Sequence, residues 1–275
     1  MSKIIYNDGI SEYATITHTT SSGTITEITD PENIANRAVL NGYEYSISTP
    51  NSGTSTITIG WTNPDYPTCS AVGLIGLYSD IDESANITIK TYNSSLVLVD
   101  TITTIAAQRT RIINDLEYND FLFTFDEQEV RQIKIEYDNS ITVTLPQINP
   151  YIGKVYVGKT LDVDVKPSSI KYSFGTQGDK QRTLGGQIYA STNNSYLRAS
   201  FTTTAIAETS VVSTYFNLNY IDSISEPLIF APQSGGNILL YGTQEKPSNT
   251  SVTSPIGKQD GEWLYETSFQ IEEEI

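Results

Sequence analysis

One histidine, one cysteine and 32 acidic side chains are the groups in this 275-residue chain that could carry catalysis. A Ser-His-Asp or Cys-His relay, like most zinc sites, would have to use His18. That residue lies in the alternating, threonine-rich run ATITHT and reads as a strand histidine at a surface. Cys69 follows NPDYPT and precedes an apolar run with no base beside it in sequence. A small, partly buried apolar residue is its better account. Paired carboxylates do acid–base work in glycosidases, but their separation in space defines the pair, and 32 acids name none. SDIDES (residues 79–84) lacks the glycine and distal glutamate of an EF-hand and reads as a solvated turn. Glu272, Glu273 and Glu274 read as a solvated strand end or an acidic contact for a basic partner. TLGGQ and QSGGN lack the lysine and spacing of a phosphate loop and read as turns. Trp61, Tyr66, Tyr78 and Tyr92 are aromatics a sugar could use, though most fit the core or rim of a β fold. The sequence thus names no catalytic, cofactor-binding or metal-ligating residue, and the expectation is a non-enzyme without cofactor.

The elements that would position such residues are strands. Charged residues are only 17% and hydrophobic ones 38%, with Thr and Tyr favouring strands and Gly, Asn and Ser favouring the turns between them. Net charge is −16, which repels phosphate backbones and anionic lipid, so neither nucleic acid nor membrane is expected as a partner. One cysteine allows no intrachain disulfide. The start MSKIIYNDGISEY has no apolar leader, and the expectation is folding in a cytoplasm.

EYSIS (44–48) and STITIGW (55–61) flank the turn residues TPNSG. AVGLIGLYS (71–79) reads as a fully buried central strand, its two glycines allowing close approach. ANITIKTY, SLVLVDT, FLFTF, RQIKIEY and SITVTL follow at near-regular spacing, the signature of a β-sandwich. RQIKIEYDNSITVTL is expected to be a hairpin, and YIGKVYVGK the last strand of the first domain. Beyond KPSS come IKYSFGT, YLRASFTTT, EPLIFAP, NILLYGTQ and the closing EWLYETSFQIEEEI, all strand-like. AIAETSVVSTYFNLNYIDS is the one helical pattern. The predicted fold is mainly β: two β-sandwich or jelly-roll-like domains with one short helix in the second. The expected divisions are an N-terminal arm or hairpin (1–30), a β-sandwich (31–165) and a second β domain (166–275) with its helix near 205–222.

The order ENIANRAVLNGYEYSIS, STITIGW, CSAVGLIGLYSDIDESANITIKTYNSS, LVLVDT is similar to discoidin-like jelly rolls, and VRQIKIEY with ITVTLPQINPYIGKVYVGK looks like that fold's ending. Joined to the second half, the series IGKVYVG, RTLGGQIY, LRASFT, PLIF, LYG, ETSFQIEEEI resembles structural proteins of tailed bacteriophage virions. Two segments depart from the pattern. NIANRAVLNGYEY has no Trp and few acids where discoidin-like domains carry ligand loops, and the insert TITTIAAQRTRIINDLEYND (101–120) has no counterpart. The resemblance implies a non-enzymatic structural component of a tailed phage virion, in the tail, tail tip or baseplate, assembled in the host bacterial cytoplasm. Its partners would be copies of itself, as a symmetric homo-oligomer, and other virion proteins. A carbohydrate-binding or decoration protein contacting host glycan on the tail or capsid surface is the alternative, and a polysaccharide-degrading enzyme the third reading.

Overall fold

The computed structural model describes residues 2–6, 10, 14–35, 42–48, 53–62, 66–78, 87–104, 107, 109–113, 116–138, 150–177, 180–182, 188–190, 194–204, 206–207, 227–232, 238–244, 249–252, 258–259 and 262–273. Among them the chain is almost entirely strand, with two short 3₁₀ turns at Pro31–Ile34 and Pro167–Ser169. The mainly β expectation holds.

The chain divides into two compact units. One comprises residues 8–160 with 235–239, the other residues 1–7, 161–234 and 240–275. In chain order the strands are β1 (Ser2–Tyr6), β2 (Thr15–Thr20), β3 (Ile25–Glu27), β4 (Tyr43–Ile47), β5 (Thr54–Gly60), β6 (Thr68–Tyr78), β7 (Ile87–Tyr92) and β8 (Leu98–Thr104). Then come β9 (Arg109–Ile113), β10 (Leu116–Glu129), β11 (Gln132–Asp138) and β12 (Tyr151–Val163). The remainder are β13 (Lys171–Gln177), β14 (Lys180–Arg182), β15 (Ile188–Ala190), β16 (Asn194–Thr202), β17 (Ile206–Ala207), β18 (Leu228–Ala231), β19 (Leu240–Gln244), β20 (Asn249–Val252), β21 (Lys258–Gln259) and β22 (Glu262–Glu273).

The first unit is an antiparallel sandwich. One sheet runs β2-β5-β11-β7-β8; the other runs β4-β12-β6-β10-β9, with β3 added to β4. β5 and β7 bury alternate residues, so Ile57, Ile59, Ile87 and Ile89 form one wall of the core. Val72, Leu74, Leu77 and Phe123 form the other wall. β6, buried along ten of its eleven residues, lies between β12 and β10, as its continuous apolar run requires.

Strand pairing does not follow chain order. β11 is bound along its length by β5 on one edge and β7 on the other. Residues 141–145, the second arm of the expected hairpin, lie outside those described. The strands either side of TPNSG belong to different sheets. In the N-terminal segment β2 adds to β5 and β3 to β4. In each case hydrophobic alternation identified the strand, while pairing followed from which face each strand buries.

The second unit has strands in the order β13-β16-β22-β19-β18-β1, with β17, β20 and β21 also on β22 and β14-β15 as a separate pair. Its core centres on stacked rings, Phe201 on Phe230 at 4.1 Å and Phe201 on Phe269 at 5.2 Å. Of the expected helix near 205–222, residues 206 and 207 form β17 against β22, and the rest lies outside the described residues.

Candidate functional site

Two polar clusters are built into the sandwich unit. The first contains His18. It is half-buried: β2 carries it against Tyr43 and Tyr45 of β4, with ring centroids 5.5 and 4.5 Å away and both contacts edge-on. Tyr43 and Tyr45 are two residues apart and therefore share a face of β4. His18 Nδ1 lies 2.9 Å from the Tyr43 hydroxyl, and the Tyr137 hydroxyl lies 3.3 Å from His18 Nε2. The Tyr45 and Tyr137 hydroxyls bond each other. Burial pulls the imidazole down to about 4 and pushes all three phenols upward. Every member is therefore neutral at physiological pH, and each polar tip is occupied by another. The cluster ties β2 and β11 of one sheet to β4 of the other. Its chemistry is that of a polar brace rather than a base or nucleophile.

The second cluster begins at a β-bulge. The β10–β6 register steps from Asn119↔Leu77 to Phe121↔Leu74, so β6 has two residues, Ile75 and Gly76, where β10 has one, Asp120. Gly76 takes φ +67°, a conformation open to glycine at low cost. Its freed N–H donates to Asp120 Oδ1 at 2.7 Å. Arg111 Nη2 of β9 donates to the same oxygen at 2.8 Å. The ion pair is deeply placed, with side-chain exposure of 16% for Arg111 and 2% for Asp120. Burial pushes the Asp120 carboxyl above its ordinary value, while Arg111, the Gly76 N–H and Arg109 pull it back. Arg109 donates to the Leu239 carbonyl at 3.1 Å. Among the described residues, neither Asp120 Oδ2 nor the Tyr118 hydroxyl has a protein hydrogen-bond partner.

A row of rings adjoins this ion pair. Tyr151 of β12 pairs directly with Tyr78 of β6. Tyr78 meets Tyr118 of β10 at 5.5 Å, and Tyr118 meets Tyr151 edge-on at 6.2 Å. Tyr118 in turn pairs with Arg111 of β9. The sequence of side chains Tyr151, Tyr78, Tyr118, Arg111 thus crosses four neighbouring strands. Leu77 and Ile152, their chain neighbours, point into the core, so the row lies on the opposite face. The Tyr151 hydroxyl accepts the N–H of Gly42 at 2.8 Å; a side chain at Gly42 would meet the Ile152 carbonyl at 2.1 Å.

Of the aromatics singled out in the sequence, Tyr78 joins this row and is buried in it, 6% exposed. Trp61 is core, and Tyr66 and Tyr92 are half-buried elsewhere. Cys69 is buried, its thiol pushed up to about 12 by burial, with Glu127 adding to the rise and Lys159 opposing it. SDIDES, TLGGQ, QSGGN and Glu274 lie outside the described residues. Glu272 pairs with Arg198 at 2.9 Å, and Glu273 takes the Leu197 N–H at 2.8 Å, so these two acids hold β22 to β16. Among the described residues no group of three His, Cys, Asp or Glu side chains could hold a metal ion. Arg109, Arg111, Tyr118 and Asp120 were not anticipated. Their signal is the period of two in RTR and YND, which puts each pair on one strand face.

No known protein family and no curated protein sequence matches the chain. Solved structures that match include a GH29 fucosidase from Ruminococcus gnavus in complex with fucose, at 14% identity and a TM-score of 0.33, over 57% of this chain and 27% of that one. Another is the enzymatically active domain of tailspike protein 4 of bacteriophage CBA120, at 14% identity and a TM-score of 0.32, over 54% of this chain and 19% of that one. The match spans about a quarter or less of either protein's length, and likeness at this level assigns no residue a role. Both neighbours are a named enzyme or an enzymatic domain, which runs against the expectation of a non-enzyme; that expectation is withdrawn.

Proposed function

We propose that the sandwich unit binds carbohydrate on the face formed by β12, β6, β10 and β9. The observation that carries this reading is the row Tyr151–Tyr78–Tyr118–Arg111, closed by a guanidinium that a buried carboxylate holds in place. A sugar ring presents apolar C–H faces and a rim of hydroxyls. Aromatic rings take the former, and fixed guanidinium, phenol and carboxylate groups take the latter. The half-buried Tyr118 hydroxyl and the Arg111 guanidinium are suited to that rim. The motif order that resembles tailed-phage virion proteins supports a place on a phage tail, where the module would contact host glycan beside other tail proteins.

The test is a glycan array of bacterial surface polysaccharides, followed by titration calorimetry on the best ligand. Tyr118→Ala is expected to weaken binding about tenfold, the loss of one stacked ring. Reducing-sugar release is read in the same samples, so turnover would be seen if present. Failure to bind any glycan, or binding indifferent to both Tyr118→Ala and Arg111→Ala, would overturn the reading.

A further inference from the structure

Leu96, Val97, Leu98 and Val99 are consecutive and each close to half exposed, at 46, 58, 49 and 49%. The turn that presents them is held firmly. Asn93 Oδ1 accepts the N–H groups of Ser95 and Val97, each at 3.0 Å. The Leu96 N–H reaches the Asn93 carbonyl at 2.8 Å, and Arg131 Nη1 donates to the Ser94 carbonyl at 2.9 Å. Leu96 itself takes φ +59°, the one positive φ outside glycine among the described residues. A leucine is held there at a conformational cost, with an aliphatic side chain turned to water.

These residues lead into β8, which ends its sheet. Its one strand partner among the described residues is β7, so among them one edge of its backbone has no strand beside it. Strand edges that stay solitary are usually guarded by lysine, proline or inward charge. The run Leu96–Thr104 (LVLVDTITT) holds no lysine or proline, and Asp100 is its sole charge. Its one guard is a single-residue register shift at Val99.

We propose that the open β8 edge is the contact between two copies of this chain, pairing antiparallel about a two-fold axis. An open strand edge is matched by another strand, and a second copy offers the same edge in a self-complementary way. Charge selects the same surface. Two copies that each carry −16 must meet where acids are sparse, and β8 is such a stretch. A two-fold centred on Thr101 sets Asp100 opposite Ile102, Val99 opposite Thr103 and Leu98 opposite Thr104. No acid then faces an acid, and the exposed aliphatics of each copy lie along the threonine-rich end of the other. The opposite edge of this sheet, β2, carries TITHTT with exposed threonines and no apolar run.

Sedimentation equilibrium over a concentration series tests this. The wild type is expected to approach twice 30.3 kDa as concentration rises. Val97→Lys with Val99→Lys should remain monomeric with an unchanged thermal unfolding curve, while Thr17→Lys on the β2 edge should still dimerise. A wild type that is monomeric throughout, or a dimer that survives the paired lysines, would overturn the proposal. So would a monomer that cosediments with phosphatidylcholine vesicles through the aliphatic turn.

Discussion

The two polar clusters of the sandwich unit use similar side chains to opposite ends. Around His18, four rings from β2, β4 and β11 satisfy one another and carry no charge. Around Asp120, an ion pair sits at a bulge, with one carboxylate oxygen and one phenol hydroxyl left without protein partners among the described residues. A closed neutral network fixes strand positions; on the proposed reading the charged one also holds the guanidinium that meets a sugar. The difference lies in backbone geometry. β2, β5 and β11 pair in unbroken register, whereas the extra residue in β6 frees an N–H and aims it at a side chain.

The strongest way to break this contrast is Asp120→Ala. It leaves the Arg111 guanidinium buried without its carboxylate, and the expected loss is about 3–5 kcal/mol in urea unfolding. Asp120→Asn, which keeps an acceptor for the Gly76 N–H, should lose less.

The next effect separates the clusters by pH. His18 titrates near 4 in the folded protein against 6.5 unfolded, so between those values the unfolded chain binds the extra proton. Stability is then full above 6.5 and falls as pH drops toward 4, by up to ~3 kcal/mol. Asp120 runs the other way: its raised folded value means that this group adds stability as pH falls through it. His18→Gln should flatten the acid loss seen by thermal unfolding across that window; an unchanged slope would show that the histidine is not its source.

Gly76→Ala should cost about 1–2 kcal/mol for the positive φ. The clash is small, since Arg111 Nη2 lies 3.5 Å from the added carbon. Glycan binding should fall with it, because the bulge positions Asp120. The smallest effect is Tyr118→Phe, expected to shift unfolding by less than ~0.5 kcal/mol while removing one donor to a bound sugar. A larger destabilisation would make Tyr118 part of the brace and blur the distinction between the clusters.

Strands β5, β6, β7 and β11 were legible because their residues alternate or run apolar at the period a sheet imposes. Their neighbours were not. Pairing between strands far apart in sequence leaves no local trace, and β11 finds both of its partners, β5 and β7, well before it in the chain. The candidate site illustrates the same limit. Tyr78 could be named as an available aromatic, but its partners Tyr118 and Tyr151 lie 40 and 73 positions further along the chain.

By itself the sequence determined the class: threonine- and tyrosine-rich alternation dictates strands, and a charge of −16 disfavours polyanionic partners. Tertiary structure decided everything that depends on distance. It made a half-buried His18 the hub of a polar brace with three tyrosines. It also gave part of the insert at 101–120 a place, laying Arg109, Arg111, Tyr118 and Asp120 on one face of the β9–β10 pair at the edge of its sheet. The physical reason is common to both. Side-chain identity is local, whereas burial, pairing and proton affinity belong to the groups that the fold sets beside it.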